Sequence, residues 1–322
     1  MPGEFEIIRR FFKPLNSGHP SISLGIGDDC ALVSVPEGTE LALSLDTLVE
    51  GVHFLPSISA DDLAWRIVAS SVSDLAAMGA QPRWLTLGCT LATADEEWLA
   101  LFGEALHQAC AFYQLQLIGG DTTRGPCHVF SAQVHGFVPT GKALKRKGAS
   151  VGDLIVVSGA LGDSRAGLAM LTGELSSGCD YLLQRYHRPT ARVSLGRYLT
   201  GRAHAAIDIS DGLLADLTHL LEASCVGARL HIDQLPLSVE LTSHAKEQAE
   251  SWALTGGEDF ELCFTLPKRD LEGLFEFCSD QGLVTTVIGE VISGQGIELL
   301  KHNTPYQRPS ALGFDHFEKT YE

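Results

Sequence analysis

The chain has 322 residues, of which 23 are Lys or Arg and 40 are Asp or Glu, so its formal net charge at pH 7 is −17. This acidic excess argues against nucleic acid or an anionic membrane surface as a partner, since both are negatively charged. It allows a nucleotide substrate, provided that divalent cations bridge the two sets of negative charge. The length is enough to bury a sizeable core and predicts two domains.

The eight cysteines predict a protein of a reducing compartment. None forms a CxxC pair, and most stand among apolar residues, as in Leu262-Cys263-Phe264. A chain of this length needs no disulfide framework, so we expect reduced thiols and a cytoplasmic protein. No run reaches the roughly 20 apolar residues that span a bilayer, and the charged N-terminus lacks the apolar core of a signal peptide.

The first half predicts strands interspersed with helices. An amphipathic helix is expected over 4–14, ended by Pro14. Two longer helices are expected over 61–78, with Ser59 or Asp61 as N-cap, and over 96–113. The predicted strands are 22–27, 30–35, 41–46, 84–91, 115–118 and 129–138. This order, with mixed hairpins, indicates α+β layers and not a simple alternation of parallel strands.

The second half repeats this mixture of elements. The predicted strands are 154–157, 205–209, 229–232, 252–255, 261–266 and 285–291. Helices are expected from Arg165, near Ala191, and over 211–223 and 270–281. The basic, glycine-containing stretch 139–148 is predicted to link the two halves. We therefore predict an α/β fold class built of α+β layers, with an N-terminal domain over 1–138 and a C-terminal domain over 149–322.

Six stretches place an acid beside a glycine or a hydroxyl, next to apolar segments. Glycine lets a backbone approach a ligand closely, and a carboxylate is a hard oxygen ligand of the kind that Mg²⁺ prefers. Surface acids usually stand among other polar residues, whereas these interrupt apolar runs. Their recurrence predicts a polyanionic pocket that metal ions neutralise. The six stretches are 25–29, 44–47, 73–75, 117–124, 208–212 and 256–259.

Three of these acids have competing explanations. Asp74 falls near the C-terminal end of a predicted helix, where the helix dipole disfavours negative charge, and this favours a requirement other than helix stability. Asp208 and Asp211 meet at a strand-to-helix transition. Capping by Asp208 or Ser210 would explain one of these acids, but the second adds repulsion that a divalent cation would relieve.

Other polar groups leave two interpretations open. Gly159, Gly162 and Ser164 could cradle phosphate with their amides or pack a tight strand-to-helix turn. Glu258 and Asp259 could recognise a cationic ligand or merely end a strand. Two motif matches are rejected: the GxGxxG-like start at 25–30 lacks its third glycine, and the GxxxxGK match at 136–142 is followed by alanine where a P-loop needs Ser or Thr.

Together these motifs resemble the thiamine-monophosphate kinase family, in the superfamily of aminoimidazole ribonucleotide synthetase. The resemblance covers nearly the whole chain and includes Gly-Ile-Gly-Asp-Asp-Cys at 25–30, Ser-Asp-Leu-Ala-Ala-Met-Gly-Ala at 73–80, Asp-Ile-Ser-Asp-Gly-Leu at 208–213 and Phe-Asp-His-Phe at 314–317. It implies ATP-dependent phosphorylation of thiamine phosphate to thiamine diphosphate. It also implies a homodimer in which the N-terminal domain pairs its sheet with that of a second subunit.

The resemblance further implies a role for individual residues. Several Mg²⁺ ions would be held by Asp29, Ser44, Asp46, Asp74, Asp121, Asp208 and Asp211. ATP would contact Gly120, Asp121, Arg146 and Ser210, and thiamine phosphate would contact His53, Glu258 and Phe314. Two positions depart from the usual pattern. Leu45 stands where Thr is usual, so a metal contact there must come from the backbone; Phe314 is often Tyr or Trp, so stacking survives but a hydroxyl contact does not.

The implied reaction suits the composition. The acceptor is a phosphate monoester with a second pKa of roughly 6, so it is mostly dianionic near neutral pH and needs no general base. Mg²⁺ ions would bring two anions together by charge neutralisation, which favours direct in-line transfer without a phosphoenzyme. Three alternatives remain: another ATP-dependent member of the superfamily, a metal-dependent phosphatase and a non-catalytic nucleotide-binding module.

Overall fold

A computed structural model describes residues 3–15, 20–176, 178–309 and 313–314. The chain divides into two compact units, which are treated separately below. The first contains Met1–Leu75 and Gly79–Ala143, and the second contains Ala76–Met78 and Leu144–Glu322. Within the described residues, none of the helices combines the length and apolarity that a membrane crossing requires.

The described residues of the first unit form three α-helices and six strands, in an order close to the predicted one. In chain order they are α1 (Glu4–Ile7), β1 (Ile22–Leu24), β2 (Leu32–Val33), β3 (Thr39–Val49), α2 (Ala60–Ala77), β4 (Gln81–Leu91), α3 (Glu96–Tyr113), β5 (Gln116–Arg124) and β6 (Val129–Pro139). After α1 the chain continues through a π-helical and a 3-10 segment to Leu15, so Pro14 lies within the last turn and does not end the helix before it.

Four of these strands form a sheet in the order β3-β6-β4-β5. Its pairs are antiparallel except β4 with β5, which run parallel because α3 carries the chain back between them. Strand β6 alternates along its length: Phe130, Ala132 and Val134 are buried, and the residues between them are half-buried. One face of the sheet is therefore packed in the core, as a strand period of two requires.

Helix starts in the first unit follow the predicted capping chemistry. The Ser59 hydroxyl accepts a hydrogen bond from the Asp62 amide over 3.3 Å, so Ser59 and not Asp61 caps α2. Asp95 caps α3 by accepting from the Trp98 amide over 2.7 Å. The helix predicted over 96–113 is confirmed at both ends.

Where the structure describes it, the second unit contains seven strands and seven α-helices. The strands are β7 (Leu154–Ser158), β8 (Ala205–Ile209), β9 (Gly227–His231), β10 (Glu261–Leu266), β11 (Thr285–Ile292), β12 (Gly296–Lys301) and β13 (Thr304–Pro305). The helices are α4 (Asp163–Thr172), α5 (Asp180–His187), α6 (Val193–Leu199), α7 (Leu213–Ser224), α8 (Val239–His244), α9 (Ala249–Thr255) and α10 (Leu271–Asp280).

The seven strands form one mixed sheet in the order β13-β12-β9-β11-β7-β10-β8. Successive residues of its central strands point to opposite faces and pack in two different hydrophobic clusters. Ile155 and Val157 pack in a cluster with α7, whereas Val156 packs in a second cluster with α6 and α10. Both faces of the sheet are therefore covered, which explains why β7, β8 and β10 are almost uninterrupted apolar runs.

Parts of the second unit differ from the prediction. The strand predicted over 252–255 is wrong, because these residues form the end of helix α9, with Trp252 and Leu254 buried. Helices α5 and α8 and strand β12 were not predicted. A short apolar run suits a buried helix as well as a buried strand, and only its packing partners decide between them.

Candidate functional site

The predicted site residues are divided between the two units. In the first unit, three predicted metal ligands lie together where β3 passes α2. The Ser44 hydroxyl donates a hydrogen bond to Asp74 Oδ2 over 2.5 Å. Burial, together with the neighbouring charge of Asp74, raises the pKa of Asp46 to about 6. Two carboxylates and a hydroxyl thus share a half-buried space, and their repulsion favours a bound cation.

The predicted Gly-Gly-Asp loop is not a loop, since Gly119, Gly120 and Asp121 lie inside β5. A register shift between Leu85 and Thr86 accommodates them in the pairing of β5 with β4. A side chain at residue 120 would have its Cβ 2.0 Å from the Leu87 carbonyl oxygen, so only glycine fits. This glycine therefore makes a close approach to a neighbouring strand, and its contact with ATP stays a prediction.

The sheet register separates Asp121 from the Asp46–Asp74 pair. Asp46 is paired with Ala132, Ala132 with Leu87 and Leu87 with Gly120. Asp46 and the Gly120–Asp121 step thus lie three strand spacings apart, or about 14 Å. The side chain of Asp121 is exposed. Asp121 does not complete a single metal site with Asp46 and Asp74.

Two further predicted residues of the first unit lie in connecting segments. The ring Nδ1 of His53 accepts a hydrogen bond from the Val49 amide over 3.0 Å. A neutral His53 therefore carries its proton on Nε2. Asp29 is exposed in the turn after β1, and its amide donates to the Asp28 carboxylate.

In the second unit, the turn 210–212 joins β8 to α7 and is organised by Asp216. One carboxylate oxygen, Asp216 Oδ2, accepts hydrogen bonds from the amides of Ser210, Asp211 and Gly212 over 3.0, 3.0 and 3.1 Å. Burial, with the nearby charge of Asp211, raises the pKa of Asp216 to about 7. The acceptor for this turn is thus Asp216, whereas the sequence had suggested Asp208 or Ser210.

The role of Asp216 was missed, although the sequence carries a signal for it. An acid in the first turn of a helix is a common way to satisfy the helix's unpaired amides. Asp208, buried in β8, and Asp211, half-buried in the turn, then need not cap the helix. The metal role of Asp208 and Asp211 stays a prediction.

Two predicted substrate residues attach to this turn from distant parts of the chain. The Glu258 amide donates to the Ser210 carbonyl over 2.7 Å, and the Phe314 amide donates to the Asp211 carbonyl over 3.0 Å. Glu258 is half-buried, and Phe314 is 52% exposed. Residues 315–317, the rest of the aromatic motif, lie outside the described residues.

Arg146, a predicted ATP contact, is held beside the start of the second unit. Its carbonyl oxygen accepts a hydrogen bond from the Ser224 hydroxyl over 3.0 Å, which fixes the backbone at the C-terminal end of α7. The side chain of Arg146 is exposed. The structure therefore holds the backbone of Arg146 in place and leaves its guanidinium accessible to an anion.

Asp259 is structural, so it does not form a ligand pair with Glu258. It is fully buried, and its two carboxylate oxygens accept from the amides of Gly162 and Ser164 over 2.7 and 3.2 Å. Burial raises the pKa of Asp259 to about 7. Because these two amides already bind a carboxylate, the packing interpretation of Gly159, Gly162 and Ser164 is favoured over the phosphate cradle.

Glu261 and two arginines form a buried charge network next to Asp259. Glu261 accepts from Ser158, Arg185 and Arg192, and the Arg192 contact is bidentate. Although burial opposes ionisation, the two guanidinium groups hold the pKa of Glu261 below its usual value. Arg185 also donates to the carbonyl oxygen of Asp259 over 3.3 Å.

The donor set fits Mg²⁺ more closely than a transition metal, since the predicted ligands all offer oxygen. Among the described residues, no group of three or more His, Cys, Asp or Glu side chains is arranged to hold a metal ion. Mg²⁺ is commonly bound through one or two carboxylates, with water and substrate phosphates completing its shell. The Asp46–Asp74 pair with Ser44 fits this mode of binding.

Two family models match the chain: the AIR synthase related protein N-terminal domain over residues 27–138, and the corresponding C-terminal domain over residues 150–302. The thiamine-monophosphate kinase of Escherichia coli (strain K12) is 47% identical over 321 residues, which cover 98% of both chains. These matches confirm the predicted fold class and the resemblance.

Solved structures of the same family are also similar to this chain. The crystal structure of thiamine-monophosphate kinase from Stenotrophomonas maltophilia K279a has a TM-score of 0.83 and 41% identity, covering 89% of this chain and 93% of that chain. AaThiL complexed with AMPPCP and TMP has a TM-score of 0.78 and 33% identity, covering 88% of this chain and 89% of that chain. This chain belongs to the thiamine-monophosphate kinase family of AIR synthase related proteins.

Proposed function

We propose that this chain transfers the γ-phosphoryl group of ATP to thiamine phosphate, forming thiamine diphosphate and ADP. The observation that carries the proposal is the attachment of Glu258 and Phe314 to the carbonyls of Ser210 and Asp211. Residues assigned to the acceptor thus lie beside residues assigned to ATP and to metal. The relatives' names, and a family structure with AMPPCP and TMP bound, support the same two substrates.

The cationic ring, the exocyclic amine and the phosphate of thiamine phosphate each need a different kind of binding residue. The exposed ring of Phe314 offers a face for stacking on a cationic heteroaromatic ring. Glu258 can accept from an exocyclic amine or balance the positive charge. His53, whose Nδ1 already accepts from Val49, can donate to the phosphate through Nε2.

The chain itself need not supply a base or a nucleophile. The acceptor phosphate is mostly dianionic near neutral pH, because its second pKa is roughly 6. Bound Mg²⁺ would offset the negative charge of both substrates. Asp29, Ser44, Asp46, Asp74, Asp121, Asp208 and Asp211 are the proposed ligands, and Gly120, Asp121, Arg146 and Ser210 the proposed ATP contacts. This arrangement supports direct in-line transfer through positioning and charge neutralisation.

We also propose a cytoplasmic homodimer, with residues 1–138 as the dimerising domain, 139–148 as linker and 149–322 as the second domain. The outward row of β3 supports the dimer, because Leu41, Leu43 and Leu45 are 38%, 57% and 59% exposed. Alternate leucines on one face of a long strand are typical of a sheet covered by a partner. The eight free thiols support a reducing compartment.

A coupled ADP-release assay tests the activity, with thiamine phosphate and unphosphorylated thiamine as alternative acceptors. We expect ADP release that depends on thiamine phosphate and Mg²⁺, with thiamine inactive. Release of inorganic phosphate without ADP would identify a phosphatase. ATP binding without turnover would identify a binding module, and turnover with another acceptor only would identify a different member of the superfamily.

A further inference from the structure

The backbone on both sides of Asp259 is strained. Glu258 and Phe260 have φ angles of +66° and +51°, in the left-handed region that residues other than glycine rarely adopt. Such a conformation persists only where the surrounding structure holds it, and it is found most often at binding and active sites. Contacts with the surrounding structure, here called the clamp, must therefore hold this conformation. A role in binding would explain why it is maintained.

One side of the clamp is the strand β8 and the turn that follows it. The amides of Glu258 and Phe260 donate to the carbonyls of Ser210 and Ile209 over 2.7 and 2.9 Å. A Cβ at residue 257 would lie 2.5 Å from the Ser210 carbonyl oxygen, so the two backbones are in direct contact. Glu258 is thereby fixed against the turn that carries Asp211.

The other side of the clamp is Asp259. Its carboxylate binds the amides of Gly162 and Ser164, at the N-terminus of α4, over 2.7 and 3.2 Å. Arg185 donates to the Asp259 carbonyl over 3.3 Å and to Glu261 over 3.0 Å. Asp259 is 0% exposed, so water cannot replace these bonds.

We infer that Asp259 is a positioning residue of the acceptor site. Hydrogen bonds from the Gly162 and Ser164 amides fix the Asp259 side chain in the interior. Asp259 thereby holds the backbone of Glu258 in the left-handed conformation, which sets the direction of the Glu258 side chain. The inference rests on the proposed role of Glu258 in binding thiamine phosphate. Asp259 itself contacts no substrate; its effect on the reaction passes through the backbone of its neighbour.

Steady-state kinetics of Asp259→Asn, Glu258→Gln and the double variant test this coupling. Asparagine keeps the shape of aspartate, but its amide group replaces one of the two acceptors. We expect Asp259→Asn to raise KM for thiamine phosphate on the order of 10-fold, with KM for ATP unchanged. In the Glu258→Gln background the same change should add less than about twofold, because residues that act together are not additive.

Asp153→Asn is the matched control. Asp153 is another buried carboxylate of the same unit, and it accepts from the Ser150 amide over 2.8 Å without contacting residues 256–260. We expect this variant to lose thermal stability with both KM values unchanged. An equal rise in KM for thiamine phosphate in Asp259→Asn and Asp153→Asn, or a full rise in the Glu258→Gln background, would show a merely structural role.

Amide hydrogen exchange separates this inference from the proposed function, since it needs no activity. In the wild type, the Glu258 and Phe260 amides should exchange as slowly as those of β10; exchange as fast as in exposed turns would overturn the inference even if no Asp259 variant folds. In Asp259→Asn these two amides should exchange faster while β8 keeps its protection. Unchanged exchange would refute the clamp. If the wild type is inactive on thiamine phosphate, the proposed function is refuted. The hydrogen-exchange data alone then decide whether Asp259 holds Glu258 in place.

Discussion

The amide of Phe314 donates a hydrogen bond to the carbonyl of Asp211 over 3.0 Å, so an aromatic residue near the end of the sequence is fixed to the turn between β8 and α7. A side chain at residue 313 would have its Cβ 2.5 Å from the same carbonyl oxygen, which shows how closely the two segments approach. Because the Glu258 amide donates to the adjacent carbonyl of Ser210, two distant segments of the chain meet at this turn.

The Phe314 ring is expected to contribute to acceptor binding. A cation–aromatic contact is worth about 0.5–2 kcal/mol, depending on desolvation, so Phe314→Ala should raise KM for thiamine phosphate roughly 2- to 30-fold. KM for ATP should change little, and Phe314→Tyr should retain most of the affinity. Phe275→Ala removes another exposed ring of the same unit and serves as control. Lower thermal stability of Phe314→Ala with both KM values unchanged would assign the ring to packing alone.

The Asp46–Asp74 pair is expected to be essential for turnover and to lower the stability of the protein without bound metal. Asp46→Asn should lower kcat roughly a hundredfold or more, since charge stabilisation of the transferring group is lost. It should leave the melting temperature within a few degrees or raise it, because two crowded carboxylates repel each other. Asp121→Asn should behave alike in kinetics. Glu37→Gln, an exposed acid of the same unit, controls for net charge. Full activity of either Asp variant at low Mg²⁺ would contradict the metal assignment.

Asp216 is expected to contribute to the stability of the fold. Asp216→Ala removes the acceptor of three amides, at about 1–3 kcal/mol for each group left without a partner, and less where water reaches it. We expect an overall loss of about 2–4 kcal/mol in the free energy of unfolding, measured by denaturant titration. Glu222→Ala, at an exposed position of the same helix, should lie within about 0.5 kcal/mol of the wild type.

Much of the fold follows from local sequence pattern, and the exceptions have physical causes. The strands 205–209 and 261–266 and the helix 96–113 are long or strongly patterned, and the structure reproduces their predicted bounds. The segment at Trp252 is short and apolar, so its burial could not decide between helix and strand. Gly120 required a close approach, and only the strand pairing shows that the Leu87 carbonyl makes one.

The site shows the same division. Acids beside a glycine or a hydroxyl were found from the sequence, including Asp46 and Asp74, which the structure brings together. The sequence left open whether Asp259, with Glu258, recognises a cationic ligand or ends a strand. Its burial against Gly162 and Ser164 depends on contacts about 95 residues away in the sequence. Such long-range contacts leave no periodic trace in a single sequence.

The exposed leucines of β3 predict a dimer that a single charge would disrupt. Leu43→Glu places a carboxylate in the middle of the proposed apolar interface, so sedimentation at micromolar concentration should change from dimer to monomer. Leu101→Glu changes a leucine of α3 that is 54% exposed and should leave the dimer intact. A monomeric wild type would contradict the proposed assembly directly.

The most direct test of the central claim is ³¹P NMR of the purified protein with ATP, Mg²⁺ and thiamine phosphate. We expect the thiamine phosphate signal to be replaced by the two signals of thiamine diphosphate, with ADP formed in equal amount and no inorganic phosphate. Removal of Mg²⁺ with a chelator should stop the conversion. Consumption of ATP to ADP and free phosphate, with the thiamine phosphate signal unchanged, would contradict the account.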